Sequence, residues 1–321
     1  MTKLSLKNRI LVIGDIMVDR YISGKILGLS YEAPIPQIEI TKTDVKIGGC
    51  GTIAENSALL GTKVNIISII GDDEIGKAVK NNLNRKNIEP ILFIQKGKNT
   101  ITRNRIIVGT HHIARFDDPT LKLDKNTEIQ IIHALNKIIP QVRCIIISDY
   151  NKGALTDAIR NCIREQTIKN KKQVIVSSNI DNITKYQNSD YIHRVKKSDA
   201  LRLINSEKEL SDEQILVKLN DILKSTSIIM TKGSEGVVTY HDGEIEYISA
   251  THHKIRDLTS VGEILIAAFA TYLVKGHSFE ESCEIGNIAA GIAVEKIGIK
   301  QIKKSELERE IKQYHSLAVS K

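Results

Sequence analysis

The sequence predicts an α/β fold built on a mostly parallel central sheet. Short apolar runs that do not alternate with polar residues are typical of strands buried on both faces. Such runs lie at 10–14, 64–71, 144–148, 174–176 and 228–230. Segments with helical periodicity lie between and after them, at about 52–60, 74–87, 124–138, 154–169 and 211–224. Strands that alternate with helices in this way favour a parallel sheet with right-handed crossovers.

Two further regions predict a second, smaller sheet. Residues 20–46 and 91–117 alternate apolar and polar side chains, which is typical of antiparallel strands with one exposed face. Because these regions interrupt the α/β pattern, we expect them to form a small antiparallel β lid over the core. The last third of the chain is helical, at about 263–275, 279–296 and 304–314. Since the sequence contains no repeat or flexible linker, we expect residues 1–321 to form a single domain.

The composition excludes several classes of protein. The chain has 321 residues, of which 41% are hydrophobic and 26% charged, and this balance argues against intrinsic disorder. With 20 Gly, 5 Pro and 4 Cys it is neither collagen-like nor a disulfide scaffold. It has no Trp and only 4% aromatic residues, so an aromatic stacking platform for single-stranded nucleic acid is not expected.

The apolar segments and the charge indicate a cytoplasmic protein. The run at 10–14 is too short for a signal-peptide core, and the longest uncharged apolar run, 264–274, is half a membrane span. The formal charge of +8 includes basic clusters at 169–172, 194–197 and 300–304. No nucleic-acid motif accompanies these clusters. We therefore interpret them as solvated surface, and expect neither a nucleic-acid nor a membrane partner.

The spacing of cysteines and histidines predicts no metal site. The four cysteines are far apart in the sequence and are interpreted as buried, reduced thiols. Adjacent histidines, as at 111–112 and 252–253, point to opposite sides of a strand. Both pairs are therefore expected to be surface or lid residues.

Residues near the first strand are candidates for binding a sugar. Gly48 and Gly49 precede a predicted helix and would leave its first amides free to face an anion or hydroxyls, although a tight turn has the same signature. Asp15 and Asp19 follow the first strand, where open α/β sheets place their ligands. These carboxylates could grip vicinal hydroxyls, or could merely cap a loop.

Two later segments are candidates for binding nucleotide and phosphate. The glycines of 231–236 follow a buried strand and permit a turn at which a nucleotide could approach the backbone, although a plain hairpin would look the same. Residues 257–263 lead directly into an apolar helix.

The order of these segments resembles the ribokinase-like (PfkB) carbohydrate kinases. Within that family the motifs are most similar to those of kinases that phosphorylate D-glycero-D-manno-heptose 7-phosphate, a lipopolysaccharide precursor. The matching motifs lie at 14–21, 32–36, 115–117, 148–155 and 287–291, and the similarity extends over about residues 9–300. The resemblance implies a three-layer ribokinase-like core and a β lid that often mediates homodimerisation. We expect no nucleotidyltransferase domain of the kind often fused to the heptose enzymes.

The resemblance also implies an activity and its residues. Enzymes of the family use ATP and Mg²⁺ to phosphorylate a sugar hydroxyl. Glu263 matches the catalytic base, and Val261 and Gly262 lie in the loop that meets the moving phosphoryl group. The positions that match sugar-binding residues are Asp15, Asp19, Gly48, Gly49, Asn56, Arg105, Arg115 and Asp117. Those that match nucleotide-binding residues are Lys232, Gly233, Gly236 and Asn287.

The sequence departs from the family pattern where phosphoryl transfer takes place. The Gly-Ala-Gly-Asp motif is Ser-Val-Gly-Glu at 260–263, and Val261 is expected to resist the positive φ that a glycine allows. The Asn-x-x-Glu motif is met by 195–198, Asp-Pro-Lys is met by 177–179, and Thr52 replaces a sugar-site Asn. Arginines suit a sugar phosphate, but Arg105 and Arg115 could instead form ion pairs within the lid.

Two hypotheses therefore stay open after the sequence analysis. The first is a divergent sugar kinase in which Glu263 acts as the base. The second is a degenerate kinase that binds a ligand or a partner chain without catalysis.

Overall fold

A computed structural model describes residues 8–109, 111–188, 190–206, 208–251, 255–296 and 300–319. In chain order its strands are β1 Arg9–Gly14, β2 Ile16–Leu29, β3 Pro36–Gly49, β4 Lys63–Gly71, β5 Ile88–Gln95, β6 Thr102–Val108, β7 His111–Asp117, β8 Cys144–Asp149, β9 Gln173–Ser178, β10 Tyr191–Lys196, β11 Ser227–Thr231, β12 Val237–His241 and β13 Glu244–Ile248. Its helices are α1 Cys50–Leu59, α2 Glu74–Leu83, α3 Lys125–Ile138, α4 Asp157–Lys169, α5 Lys197–Ile204, α6 Asp212–Leu223, α7 Val261–Lys275, α8 Phe279–Val294 and α9 Lys304–Val319.

A large sheet forms the centre of the molecule. Within the described ranges it has nine strands in the order β13-β12-β11-β10-β9-β8-β1-β4-β5. The pairs from β11 to β5 are parallel, and β12 and β13 add an antiparallel edge. The predicted α/β fold with a mostly parallel sheet is therefore confirmed. Because β1 lies in the interior of this order, Ile10 to Ile13 are almost wholly buried, which explains the unbroken apolar run.

Helices cover both faces of this sheet. One face packs against α1, α7 and α8 in a core that includes Ile53, Phe269 and Cys283. The other packs against α3 and α4 in a core that includes Ile131 and Ile163. Three layers result, with the apolar helix α7 buried along most of its length. None of the helices in these ranges is long and apolar enough to cross a membrane.

The lid is a separate four-stranded sheet in the order β3-β2-β6-β7. The β2–β3 and β6–β7 pairs are antiparallel, as expected, whereas β2 and β6 run parallel. The first predicted lid segment, 20–46, lies within β2 and β3. The second, 91–117, begins inside β5, which belongs to the large sheet instead. Strand β5 lies at the edge of the large sheet, and most of its residues are only partly buried.

The register gives the lid two different faces. Asp19 lies opposite Arg103, which lies opposite Asp117, so these three side chains share one face. The neighbouring row on the other face consists of Val45, Arg20, Asn104 and Phe116, of which Val45 and Phe116 are 51% and 53% exposed. One lid face is therefore dominated by ionisable side chains, and the other combines exposed apolar side chains with polar ones.

Two elements near the site were absent from the sequence prediction. Strand β10 contains His193 and Arg194, which interrupt its apolar run, and the short helix α5 follows it directly. Helix α7 begins at Val261, two residues earlier than expected.

Candidate active site

A cleft of about 840 Å³ lies where the carboxyl ends of the parallel strands meet the lid. Ligands of open α/β sheets bind at this edge. Its lining combines lid residues, the loops that follow β8, β9, β10 and β11, and the amino-terminal turn of α7. The predicted site residues that line it are Asp19, Gly49, Arg105, Lys232, Gly233, Gly236, Val261, Gly262, Glu263 and Asn287.

Asp15 lies beneath the cleft and orders the loop that follows β8. Its carboxylate accepts hydrogen bonds from the backbone amides of Tyr150 (2.8 Å), Lys152 (3.0 Å) and Ala154 (3.0 Å). Asp15 is buried and does not line the cleft in the described part of the chain. The loop-capping alternative is thus the one that this geometry supports. Burial, with the nearby Asp149 charge, raises the pKa of Asp15 to about 6 despite the three amides.

Asp149 anchors the same loop from its other side. Its carboxylate accepts hydrogen bonds from Arg160 (3.0 Å) and Tyr186 (2.6 Å), and from the side chain of Asn182 (3.2 Å). These buried partners leave the loop little freedom. The loop in turn carries Tyr150 to the centre of the cleft.

Glu263 and Tyr150 form the centre of the site. Glu263 lies half-buried in the first turn of α7, and the Tyr150 hydroxyl donates a hydrogen bond to its Oε1. Burial and the Glu263 carboxylate raise the pKa of Tyr150 well above its ordinary value, so the hydroxyl stays a donor. A carboxylate has acceptor sites beyond the one used by Tyr150. Glu263 can therefore also receive a proton from a bound hydroxyl.

Two arginines bring positive charge to this centre. The Arg103 guanidinium lies over the Tyr150 ring, 5.1 Å from its centroid. Arg194 donates to Thr231 Oγ1 (3.1 Å) and lies so close to Gly262 that a Cβ there would fall 2.3 Å from the guanidinium. The buried Nε atoms of both arginines have no hydrogen-bond acceptor among the described residues. Unsatisfied charged donors of this kind fit an anionic ligand such as a phosphoryl group.

In the turn before α7, the residue with a strained backbone is not the one that the sequence predicted. Ser260 adopts the left-handed conformation (φ 60°), whereas Val261 is the first helical residue. The expectation that Val261 would have to resist a positive φ was therefore wrong, since the glycine-like position is one residue earlier. A non-glycine residue in this region costs about 1–2 kcal/mol. The left-handed residue is thus Ser260, which stands where the family motif has its first Gly.

The arginines predicted to bind substrate are both in ion pairs. Arg105 pairs with the buried Asp19, and its guanidinium lies 5.3 Å from the centroid of the Tyr21 ring. Arg115 binds Asp117 through two hydrogen bonds of 2.9 Å and 2.5 Å. Arg115 and Asp117 lie on an exposed lid strand and do not line the cleft in the described chain.

The glycine-rich entrance to α1 supports the cleft through its backbone. Gly49 precedes α1 with φ 61°, and a Cβ there would fall 2.3 Å from the Asp15 carbonyl oxygen. Gly48 lies buried at the end of β3 and is not part of the described lining. Thr52 donates to the Ile47 carbonyl (3.0 Å), so this departure from the family pattern is accommodated locally.

Asn56 lies outside the described lining of the cleft. Its Nδ2 donates to the Lys300 carbonyl (3.1 Å), and its Oδ1 accepts from the Ile302 amide (2.9 Å). The buried side chain thus holds the segment that follows α8 against α1. This placement does not bring Asn56 to a bound sugar.

The predicted nucleotide-binding residues Lys232, Gly233, Gly236 and Asn287 also line the cleft. Lys232 is held by Asp212 (2.6 Å) and Glu235 (2.8 Å), and the two carboxylates raise its pKa. Gly236 has φ 97°, and a Cβ there would fall 2.2 Å from the Ile248 carbonyl oxygen. The Asn287 side chain donates to the Ser249 carbonyl (2.8 Å) and joins α8 to the same region.

Sequence reasoning missed several residues of the site. Tyr150 and Asp149 belong to the 148–155 motif, which matched the family without being assigned a role. Arg194 and Lys300 were interpreted as solvated surface, yet Arg194 points into the cleft and Lys300 is 3% exposed. In contrast, Lys196 is exposed and Lys197 pairs with Asp212 (2.8 Å), both on the cleft wall. Nothing in the sequence around Arg194 or Lys300 shows that either side chain turns inward.

The remaining metal and thiol predictions concern residues away from this centre. All four cysteines are buried and free. His111 and His112 are exposed on β7, whereas His252 and His253 lie outside the described residues. Within the described ranges, no three His, Cys, Asp or Glu side chains come together as a metal site.

A carboxylate in the first turn of a helix and guanidinium groups that line the same cleft form an arrangement suited to phosphoryl transfer. The chain belongs to the pfkB family of carbohydrate kinases, whose family model matches residues 7–304. The resemblance seen in the sequence is therefore confirmed.

Two curated relatives match this chain over most of its length, and both are longer than it is. The bifunctional protein HldE of Sulfurimonas denitrificans is 31% identical over 305 residues, covering 94% of this chain and 63% of that protein. The HldE of Campylobacter curvus is 28% identical over 94% of this chain and 64% of that protein. The chain thus spans less than two thirds of the length of these relatives.

Solved structures show that the fold is ribokinase-like. An Arabidopsis thaliana ribokinase complexed with ribose and ATP matches with a TM-score of 0.76 and 17% identity, over 95% of this chain and 99% of that chain. Escherichia coli phosphofructokinase-2 in complex with substrates and products matches with a TM-score of 0.80 and 16% identity, over 94% of this chain and 97% of that chain.

The raised pKa of Asp15 gives a pH dependence of stability. Its folded pKa of about 6 exceeds the ordinary value of 3.8, so the folded protein holds an extra proton between these pH values. This contribution, about 3 kcal/mol, is therefore complete below pH 3.8 and is lost as the pH rises through about 6. We expect the stability difference between wild type and Asp15→Asn to shrink over that range, as measured by urea unfolding at each pH. A constant difference would contradict the prediction.

Proposed function

We propose that the protein is a sugar-phosphate kinase that transfers the γ-phosphoryl group of ATP to a hydroxyl of its substrate. The observation that carries this proposal is the position of Glu263 in the first turn of α7, beside Tyr150 and two arginines with unsatisfied buried donors. A helix amino terminus and guanidinium groups stabilise the charge on a moving phosphoryl group.

The reaction follows from these positions. The Glu263 carboxylate takes the proton of the substrate hydroxyl while that oxygen attacks the γ-phosphorus. The new oxygen–phosphorus bond replaces the bond to the β-phosphate oxygen, which leaves with its electron pair as part of ADP. Tyr150 keeps the carboxylate oriented, while Arg103 and Arg194 oppose the negative charge on the phosphoryl oxygens.

The nucleotide is proposed to bind along the wall formed by Lys232, Gly233, Gly236 and Asn287. The positive φ values at both glycines bring bare backbone to this wall, and a basic residue lies next to them. Mg²⁺ in kinases is usually held by one or two carboxylates together with the substrate phosphates. Because Glu263 and Asp149 are already hydrogen-bonded, we expect the phosphates to supply most of its ligands.

We propose a heptose phosphate as the acceptor. The support is the similarity to HldE proteins along 94% of the chain, together with the lid arginines above the cleft. Breaking the Arg105–Asp19 pair would expose a guanidinium suited to a phosphate on the sugar. The synthesis of lipopolysaccharide precursors in the cytoplasm is the role that such a substrate implies.

Replacement of the proposed base tests this function. We expect Glu263→Gln to lower kcat at least about 100-fold, because the amide cannot accept the hydroxyl proton. The measurement is coupled ADP release with Mg-ATP and a panel of sugar phosphates that includes heptose 7-phosphate. Glu89→Gln, which alters an exposed carboxylate of β5, serves as the control and should keep full activity. Equal turnover by Glu263→Gln and wild type would rule out this mechanism.

A degenerate kinase is the second candidate, and the position of Arg194 favours it. The guanidinium covers Gly262, so it lies where a phosphoryl group would approach the start of α7. In a degenerate kinase it would hold this place permanently. Wild-type protein would then show no turnover with any sugar phosphate, while a bound ligand would still raise its Tm.

Substitution of Arg194 separates the two candidates. If Arg194 stabilises the transferred group, Arg194→Met should lower kcat about 100-fold or more with little change in nucleotide affinity. If it blocks the site, the same variant should bind ATP more tightly in calorimetry than wild type does. Arg309→Met, at an exposed position on α9, should behave like wild type in both measurements.

We also propose that the protein forms a homodimer through the lid face that carries Val45 and Phe116. Val45 and Phe116 are half-exposed on this face, and no other element of the described chain covers them. Phe116→Glu should therefore shift the mass measured by light scattering from dimer to monomer. Ile129→Glu introduces the same charge at an exposed position of α3 and should leave the dimer intact. A monomeric wild type would contradict the proposal.

A further inference from the structure

Lys300 buries an ammonium group next to the candidate active site. Its side chain is 1% exposed, and Nζ donates to the carbonyl oxygens of Asp257 (3.0 Å) and Thr259 (3.3 Å). The Asp257 carboxylate lies 3.8 Å from the same nitrogen. An ammonium is costly to bury unless it is paired and hydrogen-bonded, and this one is both.

The oxygen atoms around Lys300 belong to the turn that leads into α7. The carboxylate of Asp257 also accepts hydrogen bonds from the amide (2.8 Å) and hydroxyl (2.7 Å) of Thr259, which fixes the turn internally. Ser260 follows in the left-handed conformation, and α7 begins at the next residue. The position of Glu263, in the first turn of α7, thus depends on where this turn is held.

Lys300 is itself held from behind by α1. Asn56 binds the Lys300 carbonyl and the Ile302 amide with one side chain, at 3.1 Å and 2.9 Å. The backbone from which the Lys300 side chain extends is therefore fixed, as are the hydrogen-bond partners of its ammonium group. Burial lowers the pKa of Lys300, while the negative charges of Asp257 and Glu263 act in the opposite direction.

Two carbonyl oxygens and a carboxylate are the kind of ligand set that binds a hard cation. In this chain the covalently attached ammonium occupies the position among them. We propose that Lys300 is a positioning residue whose ammonium acts as a permanent internal cation, fixing residues 257–259 and the start of α7 without a cation from solution. The inference rests on the proposed function only in that the group it positions is Glu263.

Cation rescue in the absence of substrates tests the proposal independently of activity. Wild type should have the same Tm in potassium, ammonium and tetramethylammonium chloride at equal ionic strength. Lys300→Ala should lower the Tm by roughly 5 °C or more because the carbonyls lose their donor. Potassium or ammonium should restore much of this loss by entering the space left by the side chain, whereas tetramethylammonium is too large. A Tm of Lys300→Ala that does not depend on the cation would overturn the proposal.

Two further variants separate positioning from general stability. Lys300→Met fills the space without charge, so it should stay folded but gain nothing from any of the cations. Lys275→Ala removes a partly buried lysine at the opposite end of α7, whose Nζ donates to the Leu60 carbonyl (2.9 Å). This control should lose stability without cation-specific rescue. Rescue of Lys275→Ala to the same extent would reduce the effect to general salt stabilisation and overturn the proposal.

Kinetic measurements then test the link to catalysis. Lys300→Met should lower kcat about 10-fold or more, with the KM of the sugar phosphate changed less than about twofold, since a shifted base affects the chemical step most. Wild-type turnover should not depend on the monovalent cation present. If wild type has no turnover, the proposed function fails while the Tm experiment still decides the role of Lys300. Potassium-dependent wild-type turnover would overturn the internal-cation proposal and leave the kinase function standing.

Discussion

The hydrogen bonds around Asp15 are the constraint on which the rest of the site depends. Its amide donates to the Ser148 carbonyl and its carbonyl accepts from the Cys50 amide, both at 3.0 Å. Its carboxylate binds three amides of the loop after β8. One residue thus joins the end of β1, the end of β8 and the start of α1. Tyr150, and through it Glu263, takes its place from this junction.

The basic side chains of the cleft fall into two groups: those paired with a carboxylate, and those left with an unsatisfied donor that could bind an anion. Most basic side chains of the site are paired, as Lys232 is with Asp212 and Arg105 is with Asp19. Arg103 and Arg194 instead keep buried donors without an acceptor in the described chain. Removing such donors from water is unfavourable unless a ligand satisfies them. Binding of a phosphoryl group would therefore supply the hydrogen bonds that the folded chain leaves unmade.

Strands and helices that depend on local sequence patterns could be predicted. Side-chain positions that depend on contacts between distant segments could not. The buried run of β1 and the apolar length of α7 each specify an element, so the α/β core could be predicted. The family motifs correctly placed Glu263 at the start of α7. The local pattern of β5 could not reveal that its partner is β4, and nothing in the local pattern shows whether a basic residue turns inward. Arg194 and Lys300 owe their positions to Gly262 and to the turn at 257–259, which lie far away in the sequence.

The attachment of the lid has a consequence for how this molecule can diverge. The hairpin of β2 and β3 begins after Asp15 and ends at Gly49, and the Cys50-to-Asp15 hydrogen bond closes its base. Between these points the hairpin has its own ladder of backbone hydrogen bonds. Changes in the length or surface of the outer hairpin are therefore insulated from the core, whereas Val18 and Ile47 at its base pack within the core. The outer hairpin can thus diverge while the framework that holds Tyr150 and Glu263 stays the same.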